Sequence, residues 1–183
     1  TTGVDHSRGF IAPFLDGSLG EKSVYECAAQ PWGSYRPQGP ARKPTSTFGY
    51  NGYYLSPAMT PGWGASIGFR PWRRLFEIPR PSELFVFGDT LLPGSPPSNN
   101  ALLDPAALYS GGGRWTINSS PTTAFRHGGA TQVVLADGAA RAFAGRSDWM
   151  VETGGTAGIG SVGGVGPGGL PGGHYVPDAA EWR

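Results

Sequence analysis

Few side chains in this sequence are able to do chemistry. They are three histidines (His6, His127, His174), one cysteine (Cys27) and four aspartates in turn-like surroundings (Asp89, Asp104, Asp137, Asp178). His6 and His174 lie in loop-like termini without metal-ligand companions at local spacing, which predicts surface or interface roles. His127 sits in AFRHGG, just ahead of an alternating stretch. Its imidazole is expected to bond the backbone or a carboxylate and hold a loop–strand junction. A catalytic base there would need Asp89 or Asp137 as orienter, and a place at a hairpin tip puts Asp137 too far away. Cys27, in YECAAQ, lacks a basic neighbour that would lower its pKa, so a buried core thiol is expected.

Other chemistries find even less. No Gly-x-Ser-x-Gly elbow occurs, and Ser161 has no strand-to-helix context. The glycine run at 153–173 has no Lys and no following helix, so it does not make a phosphate loop. Calcium takes oxygen ligands from turns, but no two of the four aspartates show a close ligand spacing. The sequence therefore predicts no catalytic residues and no metal or cofactor, with a structural calcium ion as the lesser alternative. Asn118-Ser119-Ser120 fits a glycosylation sequon weakly, since Pro121 follows.

The elements that must position these residues are constrained by composition. The 183 residues include 31 Gly and 18 Pro, a density that breaks long helices. Six Trp, seven Tyr and nine Phe nevertheless supply a core, and the net charge is only +1. One domain of short strands and long loops follows. Near-zero charge without a basic block argues against nucleic acid as a partner, and no apolar run is long enough to span a bilayer. With one cysteine, neither an intrachain disulfide nor a cysteine zinc site is expected within one chain. A start at Thr1 without Met fits a processed product or a fragment.

Along the chain, 21–27 alternates weakly and 28–47 reads as a Pro-rich surface loop. Asn51-Gly52 between aromatics predicts a hairpin turn. Segment 83–92 is a strand candidate, and Asp104-Pro105 predicts one or two helical turns through about Tyr109. Residues 114–118 read as another short strand. The clearest piece is TQVVLA-DG-AARAFA at 131–144, with Asp137-Gly138 as a two-residue turn. That turn pairs Val134 with Arg141 and places Val133 and Leu135 on one face with Ala140 and Ala142. An alanine-lined face predicts something bulky packed against it. Trp63, Arg70, Trp72, Arg73 and Arg74, in GWGASIGFRPWRR, are the best partner-facing candidates, since Trp and Arg favour interface hot spots. Tyr175 and Trp182 could anchor the tail on the domain or on a partner. The run 153–173 cannot offset its own ordering entropy and predicts an arm.

His127, nine residues and Asp137-Gly138 together resemble the H-X9-DG signature of prepilin-type processing-associated proteins, a pilin-like bacterial family. Other segments resemble that family in the same order: IAPFLDG at 11–17, VYECAAQP at 24–31, STFGYNGYYL at 46–55 and IPRPSELFVFGDTLL at 78–92. RHGG and LADG then close the series, so the resemblance covers roughly 10–145. Two positions depart from it: Ala139 stands where the family usually has His, and Ala28 where Pro follows the cysteine. The family's cleavage site and long apolar helix are also missing, whether removed, outside the chain or lost.

The resemblance implies an α+β, mostly β, fold: a pilin-head-like antiparallel sheet with long Gly/Pro-rich loops. The expected organisation is a head at 1–150 and a Gly-rich C-terminal arm at 151–183. His127, Asp137 and Gly138 would be structural, as loop clamp and hairpin turn. The function implied is a non-catalytic, extracytoplasmic assembly protein that partners other protein subunits, membrane-associated through a missing helix or a partner. One alternative is an accessory subunit docking on a larger membrane complex through its loops and arm. A third is a secreted carbohydrate-binding β domain using exposed aromatics.

Overall fold

Glycine and proline interrupt the chain often enough that its regular elements are short. In the computed structural model, the described residues are 26–29, 46–57, 60, 73–92, 98–145, 158–160, 162 and 173–182. Among them eight strands form: β1 (Phe48–Tyr50), β2 (Phe85–Asp89), β3 (Ala107–Gly111), β4 (Arg114–Ile117), β5 (Thr123–Phe125), β6 (Ala130–Leu135), β7 (Ala140–Ala144) and β8 (Gly158–Gly160). One helical turn, α1 (Gly52–Leu55), and two 3₁₀ turns at Leu75–Glu77 and Ala179–Glu181 accompany them. The architecture is α+β, mostly β. A four-stranded antiparallel sheet has the order β1-β2-β6-β7, and β3 pairs with β4 and β5 with β8. No helix among the described residues is long and apolar enough to cross a membrane.

The β6–β7 hairpin forms, but one residue out of the expected register. Val133 pairs with Arg141 and Thr131 with Phe143. Gly138 N–H donates to Leu135 O at 3.0 Å and Leu135 N–H to Ala139 O at 2.8 Å, so the loop holds three residues. Gly138, at φ 88°, takes the left-handed position of such a loop. Tertiary bonds select it: Ala136 N–H donates to Leu84 O and Asp137 N–H to Pro81 O. A one-residue shift exchanges the faces of a strand. Ala140 and Ala142 therefore lie exposed beside Val134 and Gln132, and among the described residues no bulky element packs on them. Phe143 turns inward instead and meets Phe85 edge-on at 4.9 Å.

Two other local expectations give way to tertiary pairing. Asn51-Gly52 does not turn a hairpin; Asn51 caps α1, its side chain accepting from Tyr54 N–H. The Asn51 amide also donates to Phe85 O and Tyr175 O, both at 2.9 Å, which ties three segments together. Residues following Asp104-Pro105 form β3 rather than a helix. Asp104 N–H is taken by the Thr122 hydroxyl, Tyr109 N–H by the Tyr53 hydroxyl, and β4 pairs along the strand. The expected strands at 83–92 and 114–118 appear as β2 and β4. Of 21–27, residues 26–27 are not strand and the rest lies outside the described residues.

The core gathers Tyr53, Tyr54, Leu84, Phe85, Leu103, Phe125, Val133 and Leu135 with Val162, Tyr175, Val176 and Trp182. The last four come from the stretch read as an arm. Gly158–Gly160 pairs with β5, and Tyr175 and Trp182 are 0 % and 2 % exposed. Trp182 lies parallel to Tyr53 at 5.9 Å and touches Trp115 at 5.2 Å, and its indole N–H donates to Asp178. Fully burying one such side chain contributes about 1.5–3 kcal/mol, so the tail is an integral part of the head's core. Tyr175 and Trp182 are thus withdrawn from the partner-facing set.

Candidate functional site

Strand β6, the turn after β5 and the segment at Cys27 converge on Asp89, the last residue of β2. Its backbone has left the β2–β6 ladder, whose last pair is Gly88 with Val133. The carboxylate takes over: Oδ2 accepts from Gln132 N–H at 2.7 Å. Oδ1 faces the Arg126 guanidinium at 3.3 Å, with both side chains almost wholly buried. Arg126 also donates to Thr47 O at 3.0 Å and to Thr90 O. Burial pulls its pKa below the usual arginine value, and the Asp89 charge opposes that pull.

His127 follows Arg126 and begins a tight turn. His127 and Ala130 exchange backbone hydrogen bonds across Gly128 and Gly129, whose positive φ angles of 64° and 85° suit glycine. That turn aims the imidazole at Asp89, with Nε2 3.3 Å from Oδ2. Cys27 reaches the same atom: Sγ lies 3.4 Å from Nε2, and Cys27 N–H is held by the Thr47 hydroxyl at 2.6 Å. Thiol, carboxylate and imidazole ligand atoms all lie within 4.8 Å of one another. Cys27 is 5 % exposed, while the His127 side chain is 31 % exposed and opens the cluster to solvent.

The thiol is buried, as expected, but its surroundings correct the sequence reading: a basic side chain stands against it. That neighbour is 100 residues away in the chain, beyond any local pattern. Asp89, not Asp137, is the carboxylate on His127. Asp137 serves its own turn, its side chain accepting from Ala139 N–H at 2.9 Å. In a nucleophile–base–orienter relay the thiol and the carboxylate use different imidazole nitrogens. Here both meet Nε2, so the arrangement lacks that relay.

The remaining candidates separate. Arg73 bridges Asp178 at 2.8 Å and lies over the Tyr54 ring, and Arg74 is exposed beside Phe76. Trp63, Arg70 and Trp72 lie outside the described residues, as do His6 and Ser161. His174, half-buried, stacks on Phe85 at 4.8 Å, and its Nδ1 lies 2.9 Å from Glu83 O. Asn118 is buried with its amide donating to Pro105 O, which removes it as a glycosylation acceptor. Among the described residues the four aspartates do not gather into a calcium site; the single cluster with metal-ligating character is Cys27, Asp89 and His127.

No protein-family model, curated protein or solved structure matches this chain.

Proposed function

We propose that this chain is a pilin-like head and works as a non-catalytic, extracytoplasmic structural or assembly protein among other protein subunits. One observation supports the reading above the rest. Segments that resemble the family, dispersed over a hundred residues, meet at a single point. Cys27 comes from VYECAAQP, Thr47 from STFGYNGYYL, Asp89 from the IPRPSELFVFGDTLL segment, and Arg126 and His127 from RHGG's approach. Asp137-Gly138 closes the hairpin that begins just after them. The signature residues thus act as clamp and turn, a role that needs no substrate.

The test is fractionation of a bacterium expressing the complete coding sequence with an epitope tag. The tagged chain is expected in the extracytoplasmic or surface-sheared fraction, cross-linked to itself or to other subunits. Recovery as an uncross-linked cytosolic monomer would overturn the reading.

A further inference from the structure

We propose that Cys27, Asp89 and His127 bind one transition-metal ion of the zinc class. Ligand atoms about 2.0–2.3 Å from a tetrahedral zinc stand about 3.3–3.6 Å from one another. The observed Sγ–Nε2 and Nε2–Oδ2 separations, 3.4 and 3.3 Å, fall in that range, and the three ligand atoms lie within 4.8 Å of one another, so the sulfur and the carboxylate would draw together on binding. Nε2 carries at most one hydrogen, yet it faces both a sulfur and a carboxylate oxygen. A cation at the centre satisfies all three atoms at once.

The donor set decides the class of ion. Calcium and magnesium take oxygen ligands, whereas a thiolate with an imidazole favours zinc and its neighbours. On binding, the Cys27 thiol proton leaves to solvent. His127 coordinates through the Nε2 lone pair and keeps its hydrogen on Nδ1. Asp89 Oδ2 is already oriented by Gln132 N–H and Oδ1 by Arg126, the outer contacts that hold a ligand in place. The exposed side of His127 admits a water as fourth ligand. A single cysteine thus does not exclude a zinc site, because the other ligands come from β2 and from the turn before β6. This inference is independent of where the protein assembles.

The experiment uses the full chain stripped with a chelator, then titrated with Co²⁺ and Zn²⁺. The expected result is one equivalent bound, with a thiolate-to-cobalt charge-transfer band that Zn²⁺ displaces. Cys27→Ser abolishes that band, and Cys27→Ser and His127→Gln each weaken binding by more than about 100-fold, beyond the cost of outer-contact changes. His174→Gln leaves binding unchanged. Circular dichroism checks that each variant is folded. The wild-type spectrum decides alone should a variant unfold: no thiolate band, or preferential binding of Ca²⁺, overturns the proposal. Unweakened binding by folded Cys27→Ser and His127→Gln overturns it equally.

Discussion

The Asp89 carboxylate and the Arg126 guanidinium stand 3.3 Å apart, at 0 % and 1 % side-chain exposure. This ion pair joins β2 to the residue after β5, and Arg126 extends it to the carbonyls of Thr47 and Thr90. Removing one partner of a buried pair leaves an uncompensated charge and costs about 3–5 kcal/mol. Arg126→Met is expected to lower the unfolding free energy by that amount, read as a lower urea midpoint with little change in slope. Asp89→Asn in the same chain should recover part of the loss. An Arg126→Met variant within about 1 kcal/mol of wild type would contradict a buried pair.

The hairpin register has its own consequence. Because Ala140 and Ala142 face solvent, Ala140→Lys and Ala142→Lys should each change stability by no more than about 0.5 kcal/mol. Val133→Ala, on the buried face, should cost about 1–3 kcal/mol through lost packing. Under the two-residue turn the lysines would be the damaging changes, so thermal denaturation of the three variants separates the registers.

Gly49 lies where β1 meets the chain at 102–103. A Cβ there would stand 2.7 Å from the carbonyl carbon of Leu102 and 2.8 Å from the nitrogen of Leu103. These are backbone atoms bound to β1 through Leu103 N–H to Tyr50 O, so they have no rotamer by which to yield. Gly49→Ala is expected to destabilise by about 1–3 kcal/mol or more. Gly138→Ala, with open space around it, should suffer only from its φ of 88°. Comparing the two by urea unfolding tests steric against conformational cost.

Trp182 is the anchor of the C-terminal tail. Trp182→Ala removes contacts with Tyr53, Tyr54, Tyr109 and Trp115 and the hydrogen bond to Asp178. A loss of about 3–5 kcal/mol and a collapse of the near-ultraviolet circular dichroism are expected. An unchanged spectrum would mean that the tail does not pack into the head.

Tyr54 should give the protein an alkaline limit. Its hydroxyl is buried, and burial first, then the Asp178 charge, pushes its pKa well above the ordinary value of 10.0. The folded state keeps the proton that the unfolded chain releases. The sign follows: this stability is full below about pH 10 and is lost as pH rises further. In Tyr54→Phe the alkaline decline should be shallower, and parallel pH profiles for the two proteins would refute the assignment.

The mostly β class, β2, β4 and the Asp137-Gly138 turn were all legible, because strand alternation and turn chemistry are properties of neighbouring residues. Glycine and proline density likewise excluded long helices without any coordinates. The glycine-rich stretch, however, was readable only as an arm, since 153–173 cannot order itself and nothing local reveals that Tyr175 and Trp182 reach the core. The same limit explains the hairpin. Asp137-Gly138 marks a turn, but the carbonyls of Pro81 and Leu84 select its length, and with it the face on which every β7 side chain lies.

His127 and Asp137-Gly138 were visible as a spaced motif, and a core position for Cys27 followed from the lack of a basic neighbour in its local sequence. Their meeting was not. The distance between Cys27 and His127 is set by Thr47 holding one segment and by the two glycines after His127 aiming the other. Local sequence determined which atoms were on offer and where the chain would bend. Only the tertiary structure decided which of those atoms share a centre, because that depends on strand pairings between residues far apart in the chain.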